Sequence, residues 1–282
     1  MTAVAYHQNP ALAGRKVRFF RVLKAEWIKL RSLRSTWWVT GVFLLMAIGA
    51  NLILIFNEAW DSVVGMGNGY ATQTFFDLMV VGFAHIAVVM VIMVLAVVGV
   101  LALTNEYSSG MIRSTFAAVP RRWPVFATKA LLMSLVTVIM VAVTQLVGVL
   151  VAILVAASKN ASFTMTAHAW KSLLLGAVVS VLLVLMFLGL GALLRSSAAG
   201  IAIAYAISMA IPLILLPLLS MVNEVFGKAS AYFPVAAANA AIAQGQAVMD
   251  VQLSTASALG VVAAWAATTL ILGTWRFMRR DA

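Results

Sequence analysis

Six long apolar stretches, each bounded by polar or charged residues, divide the chain. An α-helix needs about 20 apolar residues to cross a hydrocarbon layer about 30 Å thick, and every stretch is long enough. The connections between them are short, so the pattern predicts one all-α membrane domain without a soluble module. We predict six transmembrane helices at about residues 37–56, 75–103, 125–157, 172–194, 198–221 and 257–277.

The region before the first span, residues 1–36, is polar and basic, and we separate it from the membrane domain at 37–282. No apolar run precedes Trp37, so a cleaved signal peptide is not expected. Between Arg15 and Ser35, apolar residues recur at helical spacing while several cations point elsewhere. This predicts an amphipathic helix in the membrane interface, although a simple basic flank is an open alternative. Its apolar face comprises Phe20, Leu23, Trp27 and Leu30.

Composition supports the membrane assignment and fixes an expected orientation. Hydrophobic residues make up 64% of the chain and charged residues 10%, whereas a soluble domain carries about 25% charged residues. Of the 19 Lys and Arg residues, all but Lys159, Lys171 and Lys228 fall on the side of the amino terminus. Cytoplasmic loops are enriched in Lys and Arg, so both termini are predicted to be cytoplasmic. The net charge of +11 therefore reflects membrane orientation, and no nucleic acid partner is expected.

Two spans carry features that point to a pathway or a subunit interface. The fifth span has alanine at every fourth position from 198 to 210, and small residues let helices approach closely. Pro212 and Pro217 then deprive carbonyl groups of their usual donors, which is tolerable beside protein or a wet cavity. Ordinary packing within the chain is the alternative for these residues, as hydrogen-bonded packing is for His85. The candidates are His85, Ala202, Tyr205, Ala206, Met209 and Pro212.

The connection between the second and third spans carries several cations and has its own helical pattern. Residues 111–119 predict about two helical turns, with Ile112, Phe116 and Val119 on one face. Pro120 ends this helix, because the residue before a proline resists helical geometry. A short amphipathic helix parallel to the membrane is suited to a socket on a soluble partner.

The residues of this connection resemble a known pattern. NEYSSGMIRSTFAAVPRRWPVFATKALL, together with AEWIKLRSLRSTWW before the first span and LLRSSAAGIAIAY between the fourth and fifth, is similar to the permease subunits of bacterial ABC transporters. These permeases are six-span, exporter-type chains with a separate ATPase, and this one is similar to those of high-GC Gram-positive bacteria. The specific part covers about 40 residues, centred on Glu106, Gly110, Pro120, Arg122 and Lys129.

The resemblance implies a location in the bacterial cell membrane and a defined set of partners. A second permease chain, identical or different, would complete the translocation path, and two ATPase copies would bind ATP and Mg²⁺. No cofactor is expected in this chain itself. The 104–124 connection would be the coupling segment to the ATPase, with Glu106, Gly110, Ile112, Arg113, Phe116, Pro120, Arg121 and Arg122 as its site residues.

Other functional classes have weaker support in the sequence. An ion-coupled secondary transporter needs ionisable groups near mid-membrane, but Asp77 and Glu106 lie near span ends. No phosphate-binding loop is present, since the Gly227-Lys228 pair is followed by Ala229. No catalytic or metal site is predicted, and the three histidines lie far apart in sequence. A structural subunit of a larger complex is a further alternative, and the cargo (drug, peptide antibiotic or lipid) is left open.

Overall fold

A computed structural model describes residues 19–32, 34–56, 69–119, 122–158, 164–244 and 253–279. Every regular element in these ranges is helical, which confirms the predicted all-α class. Before the first span lies the amphipathic helix Phe19–Ser32, a name used below for these residues. The rest of the region before Phe19 lies outside the described residues.

The described chain contains six helices that are long and apolar enough to cross a membrane, which confirms the predicted number of spans. Each overlaps its predicted range and most extend it by a few residues at one end or both. The second and third spans have 36 residues each, longer than a bilayer requires. The six spans are Trp37–Ile55, Gln73–Ser108, Trp123–Ser158, Ala167–Leu194, Ser197–Ser220 and Thr255–Arg279.

The fourth span is the centre of the bundle and contacts the second, third and sixth spans. Its inward side chains, among them Leu183, Met186 and Phe187, are fully buried. Two glycines allow its contact with the sixth span. A Cβ at Gly189 would lie 2.5 Å from the backbone of Thr269, and one at Gly273 would lie 2.5 Å from the carbonyl oxygen of Gly189. Close backbone contact therefore fixes how these two helices pack.

Two short helices follow the fifth span at the distal end of the bundle, by which we mean the end away from the amphipathic helix. The first, Glu224–Ser230, begins where the side chain of Asn223 accepts a hydrogen bond from Val225 N. The second, Pro234–Ile242, is mostly buried against the second, fourth and sixth spans.

The second and fifth spans are not regular α-helices along their whole length. Val91–Leu95 in the second span and Ala206–Leu215 in the fifth are π-helical. Pro212 was expected to break the hydrogen-bond ladder of the fifth span, but it lies inside the π-helical segment and the helix continues. The wider π turn accommodates a proline, which has no N–H and would clash with the carbonyl group one α-turn earlier. The interruption is thus a widening of the helix, and it starts six residues before the proline.

Candidate functional site

The amphipathic helix turns one narrow face toward the protein, while its cations Arg21, Lys24 and Arg31 are exposed. Val22 and Glu26 are buried, whereas Phe20 is 78% exposed and Trp27 is 42% exposed. The other two residues of the predicted apolar face, Leu23 and Leu30, are half-buried. A helix in a membrane interface solvates its exposed apolar side chains in lipid, and the interfacial location of this helix stays a prediction.

Four charged side chains meet where this helix joins the ends of the second and third spans. The Lys129 ammonium group lies 2.6 Å from a carboxylate oxygen of Glu26 and 2.9 Å from one of Glu106. The Lys29 ammonium group lies 2.8 Å from Glu26 and 3.1 Å from Glu106. Each carboxylate thus contacts both ammonium groups. We call Glu26, Lys29, Glu106 and Lys129 the charge cluster.

The charge cluster is neutral overall and mostly buried, and both facts bear on its energetics. Glu26 and Glu106 are each 4% exposed, and Lys129 is 7% exposed. Removing charges from water costs several kcal/mol per ion, so a buried pair is tolerated only with close partners. Loss of one member leaves its partners uncompensated, at a cost of about 3–5 kcal/mol. The cluster therefore makes the amphipathic helix and the ends of two spans dependent on one another.

The two members in the amphipathic helix have shifted proton affinities. Burial raises the pKa of the Glu26 carboxyl, but the ammonium groups of Lys129 and Lys29 more than offset this effect and leave the pKa below its usual value. Burial likewise lowers the pKa of Lys29, but the carboxylates of Glu26 and Glu106 outweigh it and the pKa is raised. Both residues are therefore held in their charged forms.

The predicted coupling segment forms a helix, Met111–Ala118, which we call the connecting helix. Gly110 precedes it with a φ of 69°, a left-handed conformation that glycine adopts without steric cost. Ile112 is 3% exposed and packs in an apolar cluster with Leu103 and Phe126. Met111, by contrast, is 44% exposed, and Ser114 is exposed as well. The helix is thus anchored on one face and accessible on another.

The other predicted coupling residues fall in three places. Pro120 and Arg121 lie outside the described residues, as do the side chains of Arg113 and Phe116. Arg122 donates a hydrogen bond to the backbone oxygen of Met278, 3.3 Å away, and so contacts the end of the sixth span. Glu106 faces the two lysines of the charge cluster, and its role at the partner contact stays a prediction.

Glu26 is the residue of this site that sequence reasoning missed. It is the single acidic residue in the amphipathic helix and lies beside the predicted apolar face. That position, three residues before Lys29, is the signal that was available. Its link to Lys129 spans 103 positions in sequence and is not visible in any local pattern.

The candidate path residues link the two π-helical spans and the buried distal helix. The hydroxyl of Tyr205, at the start of the π-helical segment of the fifth span, donates to the backbone oxygen of Met93, 2.5 Å away within the π turn of the second span. His85 lies 3.3 Å from the backbone oxygen of Asn239 in the buried helix Pro234–Ile242. Interruptions of α-helical hydrogen bonding by π turns often occur at functional sites.

The alanine repeat of the fifth span lies on a face that the rest of the chain leaves largely uncovered. Ala202 is exposed, and Ala206 and Met209 are half-buried, whereas Pro212 is buried. In the most apolar part of this span, 22% of residues are buried within the chain. A small-residue face without a partner inside the chain is therefore available to lipid or to a second subunit.

Comparison with known families identifies the chain's class. In the described residues, no group of three or more histidine or acidic residues is placed to hold a metal ion. No curated protein matches the sequence. Residues 20–282 match the family described as ABC-2 family transporter protein, which covers the amphipathic helix and all six spans. The chain therefore belongs to the ABC-2 transporter family and is a multi-pass membrane protein of the ABC permease class.

Proposed function

We propose that this chain is the permease subunit of an ATP-driven exporter and is coupled through its connecting helix to a separate cytoplasmic ATPase. The observation that carries the proposal is the two-sided connecting helix, anchored by Ile112 and exposed at Met111 and Ser114. ABC permeases of this family work with an ABC ATPase. Two copies of that partner bind ATP and Mg²⁺ and supply the free energy that this chain transmits.

Force on the connecting helix reaches the membrane through the charge cluster and the apolar cluster beside it. Glu106 lies five residues before Met111, and Lys129 lies at the start of the third span. Because both are bound to Glu26 or Lys29, the amphipathic helix moves with the ends of the second and third spans. Glu106 thus acts in this proposal as a positioning residue for the connecting helix.

The path itself forms between two permease chains, whose fifth spans face one another across the alanine face. The π-helical segments of the second and fifth spans give these helices room to rearrange, and the Tyr205 hydroxyl joins them in the present conformation. The cargo class supported by the apolar interior is hydrophobic or amphipathic. Its identity (drug, peptide antibiotic or lipid) is a question for a transport assay over a compound panel.

An ion-coupled carrier has less support from the arrangement of side chains. Asp77, the acidic residue of the second span nearest the distal end, accepts a hydrogen bond from Thr166 at 2.8 Å. The other acidic residue of that span, Glu106, belongs to the charge cluster. Neither carboxylate stands near mid-membrane, where an ion-coupling site is expected.

Charge inserted on the exposed face of the connecting helix tests the coupling assignment. Met111→Arg and Ser114→Arg should leave the melting temperature unchanged but reduce copurification of the ATPase chain and cargo-stimulated ATP turnover at least tenfold. Arg113→Glu should act in the same direction. Val225→Arg, at an exposed apolar position of the distal helix Glu224–Ser230, is the matched control and should behave like wild type. Unchanged association and turnover in all three connecting-helix variants would refute the coupling assignment.

The absence of cysteine from the chain allows a clean test of the dimer. Ala202→Cys places a thiol on the alanine face, and oxidation should cross-link two chains there. Leu146→Cys, on an exposed position of the third span, is the control and should stay monomeric. A cross-linked product whose mass differs from two copies of this chain indicates a different partner that carries its own cysteine. Cross-linking of the control alone places the subunit contact on the third span and rejects the fifth.

A further inference from the structure

We propose that the fourth and sixth spans form a binding site for the phosphate head group of an acidic phospholipid. The site lies at the ends of these spans that are nearer the amphipathic helix. A cavity of about 330 Å³ opens there between Leu193 on the fourth span and the last turn of the sixth. Trp275, Arg276 and Arg279 complete its lining. One leucine, one tryptophan and two arginines thus line one space, whose surface is mostly apolar.

A third arginine adjoins this cavity. Arg195 lies in the short turn between the fourth and fifth spans with a φ of 56°, a conformation that is uncommon for residues other than glycine. Its guanidinium group lies 4.8 Å from the ring centre of Tyr107 and donates to the backbone oxygen of Arg276 at 3.2 Å. The backbone strain is therefore compensated by contacts that hold a cation beside Arg276.

These three cations have no acidic partner in the described part of the chain. Within the described residues, the two carboxylates of this end, Glu26 and Glu106, are bound by Lys29 and Lys129 in the charge cluster. The Nε atoms of Arg195 and Arg276 are buried and make no hydrogen bond with described residues. Like charges held close together repel one another, so a bound anion stabilises this corner.

The chemistry of the cavity favours a lipid phosphate over a free anion. Guanidinium groups bind phosphate oxygens in a bidentate manner, which lysine does not. Trp275 is 51% exposed, and Arg279 lies 5.0 Å from its ring centre, an arrangement suited to the depth of lipid head groups. Leu193 offers the adjoining surface to an acyl chain. Basic pockets between membrane helices bind acidic head groups in this way.

The cations in the last turn of the sixth span have a plainer explanation that accounts for part of the observations. Cations in the last turn of a helix interact favourably with its dipole and follow the positive-inside rule. Neither effect requires two arginines and a tryptophan around one cavity. The lipid site accounts for these features, and it does not depend on the ATPase coupling proposed above.

Lipid retention measured by native mass spectrometry tests the site. The purified protein is titrated with phosphatidylglycerol, with phosphatidylcholine and with inorganic phosphate. Wild type should retain phosphatidylglycerol preferentially, and Arg276→Gln or Arg279→Gln should weaken that retention about fivefold each. Arg21→Gln removes the same charge from an exposed position of the amphipathic helix and should leave retention unchanged.

Each contrary result identifies a different error. Equal loss in Arg21→Gln and Arg279→Gln would mean diffuse attraction to acidic membranes and no site. Protection from thermal unfolding by inorganic phosphate that matches phosphatidylglycerol would reject the lipid assignment. If Asp281→Asn destabilises the lipid-free protein as much as Arg279→Gln does, that carboxyl group is the partner and the proposal fails. Arg279→Lys, which keeps the charge, guards against misfolding and should bind with intermediate affinity.

Discussion

The fourth and fifth spans follow each other in sequence, separated by the turn at Arg195 and Ser196, yet they differ in almost every structural respect. The fourth is a regular α-helix of 28 residues, and 67% of its most apolar window is buried inside the chain. The fifth is π-helical over ten residues, and 22% of its corresponding window is buried. One helix is the core of the fold, whereas the other lies at its edge.

Small residues serve opposite purposes in the two spans. In the fourth, Gly189 and Gly191 face the backbones of neighbouring helices in the same chain. In the fifth, Ala198, Ala202 and Ala210 are exposed and face away from the bundle. A small-residue pattern alone thus predicts close approach, but it does not tell whether the approaching helix belongs to the same chain.

The largest expected effect on helix packing comes from adding one methyl group to the fourth span. In Gly189→Ala the new Cβ would lie 2.5 Å from the carbonyl carbon of Thr269 and 2.7 Å from the nitrogen of Leu270. Backbone atoms cannot move aside as side chains do, so the variant should lose about 1–3 kcal/mol and melt several degrees lower. Gly260→Ala is the control, because nothing lies within 4 Å of its Cβ. It should melt at or slightly above the wild-type temperature, and equal destabilisation of both variants would contradict this account of the packing.

A second comparison uses one neighbour that both spans share, Val100. A Cβ at Gly191 would lie 2.6 Å from the backbone oxygen of Val100, whereas one at Gly200 would lie 2.6 Å from its Cγ1 atom. Val100→Ala removes that Cγ1 atom, so it should rescue Gly200→Ala by about 1 kcal/mol and leave Gly191→Ala unrescued. Double-mutant cycles of thermal stability measure the two coupling energies. Equal coupling at both glycines would mean that the fourth span is no more rigidly packed than the fifth.

Removal of one hydroxyl should loosen the fifth span with a smaller effect on stability. Tyr205→Phe deletes the donor to the backbone oxygen of Met93 and should cost about 1 kcal/mol. Transport rate should change more than melting temperature, because the bond joins two helices proposed to move. Tyr232→Phe, at an exposed position of the distal end, is the control. If the two variants transport cargo equally, the Tyr205 bond has no role in the cycle.

The smallest effect on thermal stability near neutral pH is expected from titration of the charge cluster. This cluster lies at the ends of the second and third spans and has no member in the fifth. The pKa of Glu26 lies below 4.5 in the folded chain, so its contribution to stability is present above pH 4.5 and is lost as pH falls through the folded value. The pKa of Lys29 lies above 10.5, so its contribution is present below pH 10.5 and is lost as pH rises through the folded value.

Thermal unfolding of Glu26→Gln and wild type at several pH values measures this linkage. The difference in melting temperature should be constant between about pH 5 and 10 and should shrink in stronger acid. Glu224→Gln serves as the control, because its ion pair with Lys228 is largely exposed and spans 3.8 Å. A constant difference for Glu26→Gln down to pH 3 would show that this carboxyl group does not titrate with folding.

Features encoded in one stretch of sequence could be predicted, and features assembled from several could not. The six spans follow from the length of each apolar run, and the connecting helix from residues 111–119 and the following proline. The charge cluster requires three elements to meet, and Glu26 had no partner in its own helix beyond Lys29. The sequence predicted a break in the helix at Pro212, whereas the structure has a π-helical segment there. The hydrogen bond that a proline removes can be predicted from sequence, but the way in which the helix compensates for it cannot.

The length of the second and third spans has a mechanical consequence. A helix of 36 residues is about 54 Å long, so it exceeds a 30 Å hydrocarbon layer by about 24 Å even when upright. A tilt of about 20° shortens its reach by only about 3 Å. The excess length therefore has to project from the hydrocarbon layer at one or both ends of the two spans.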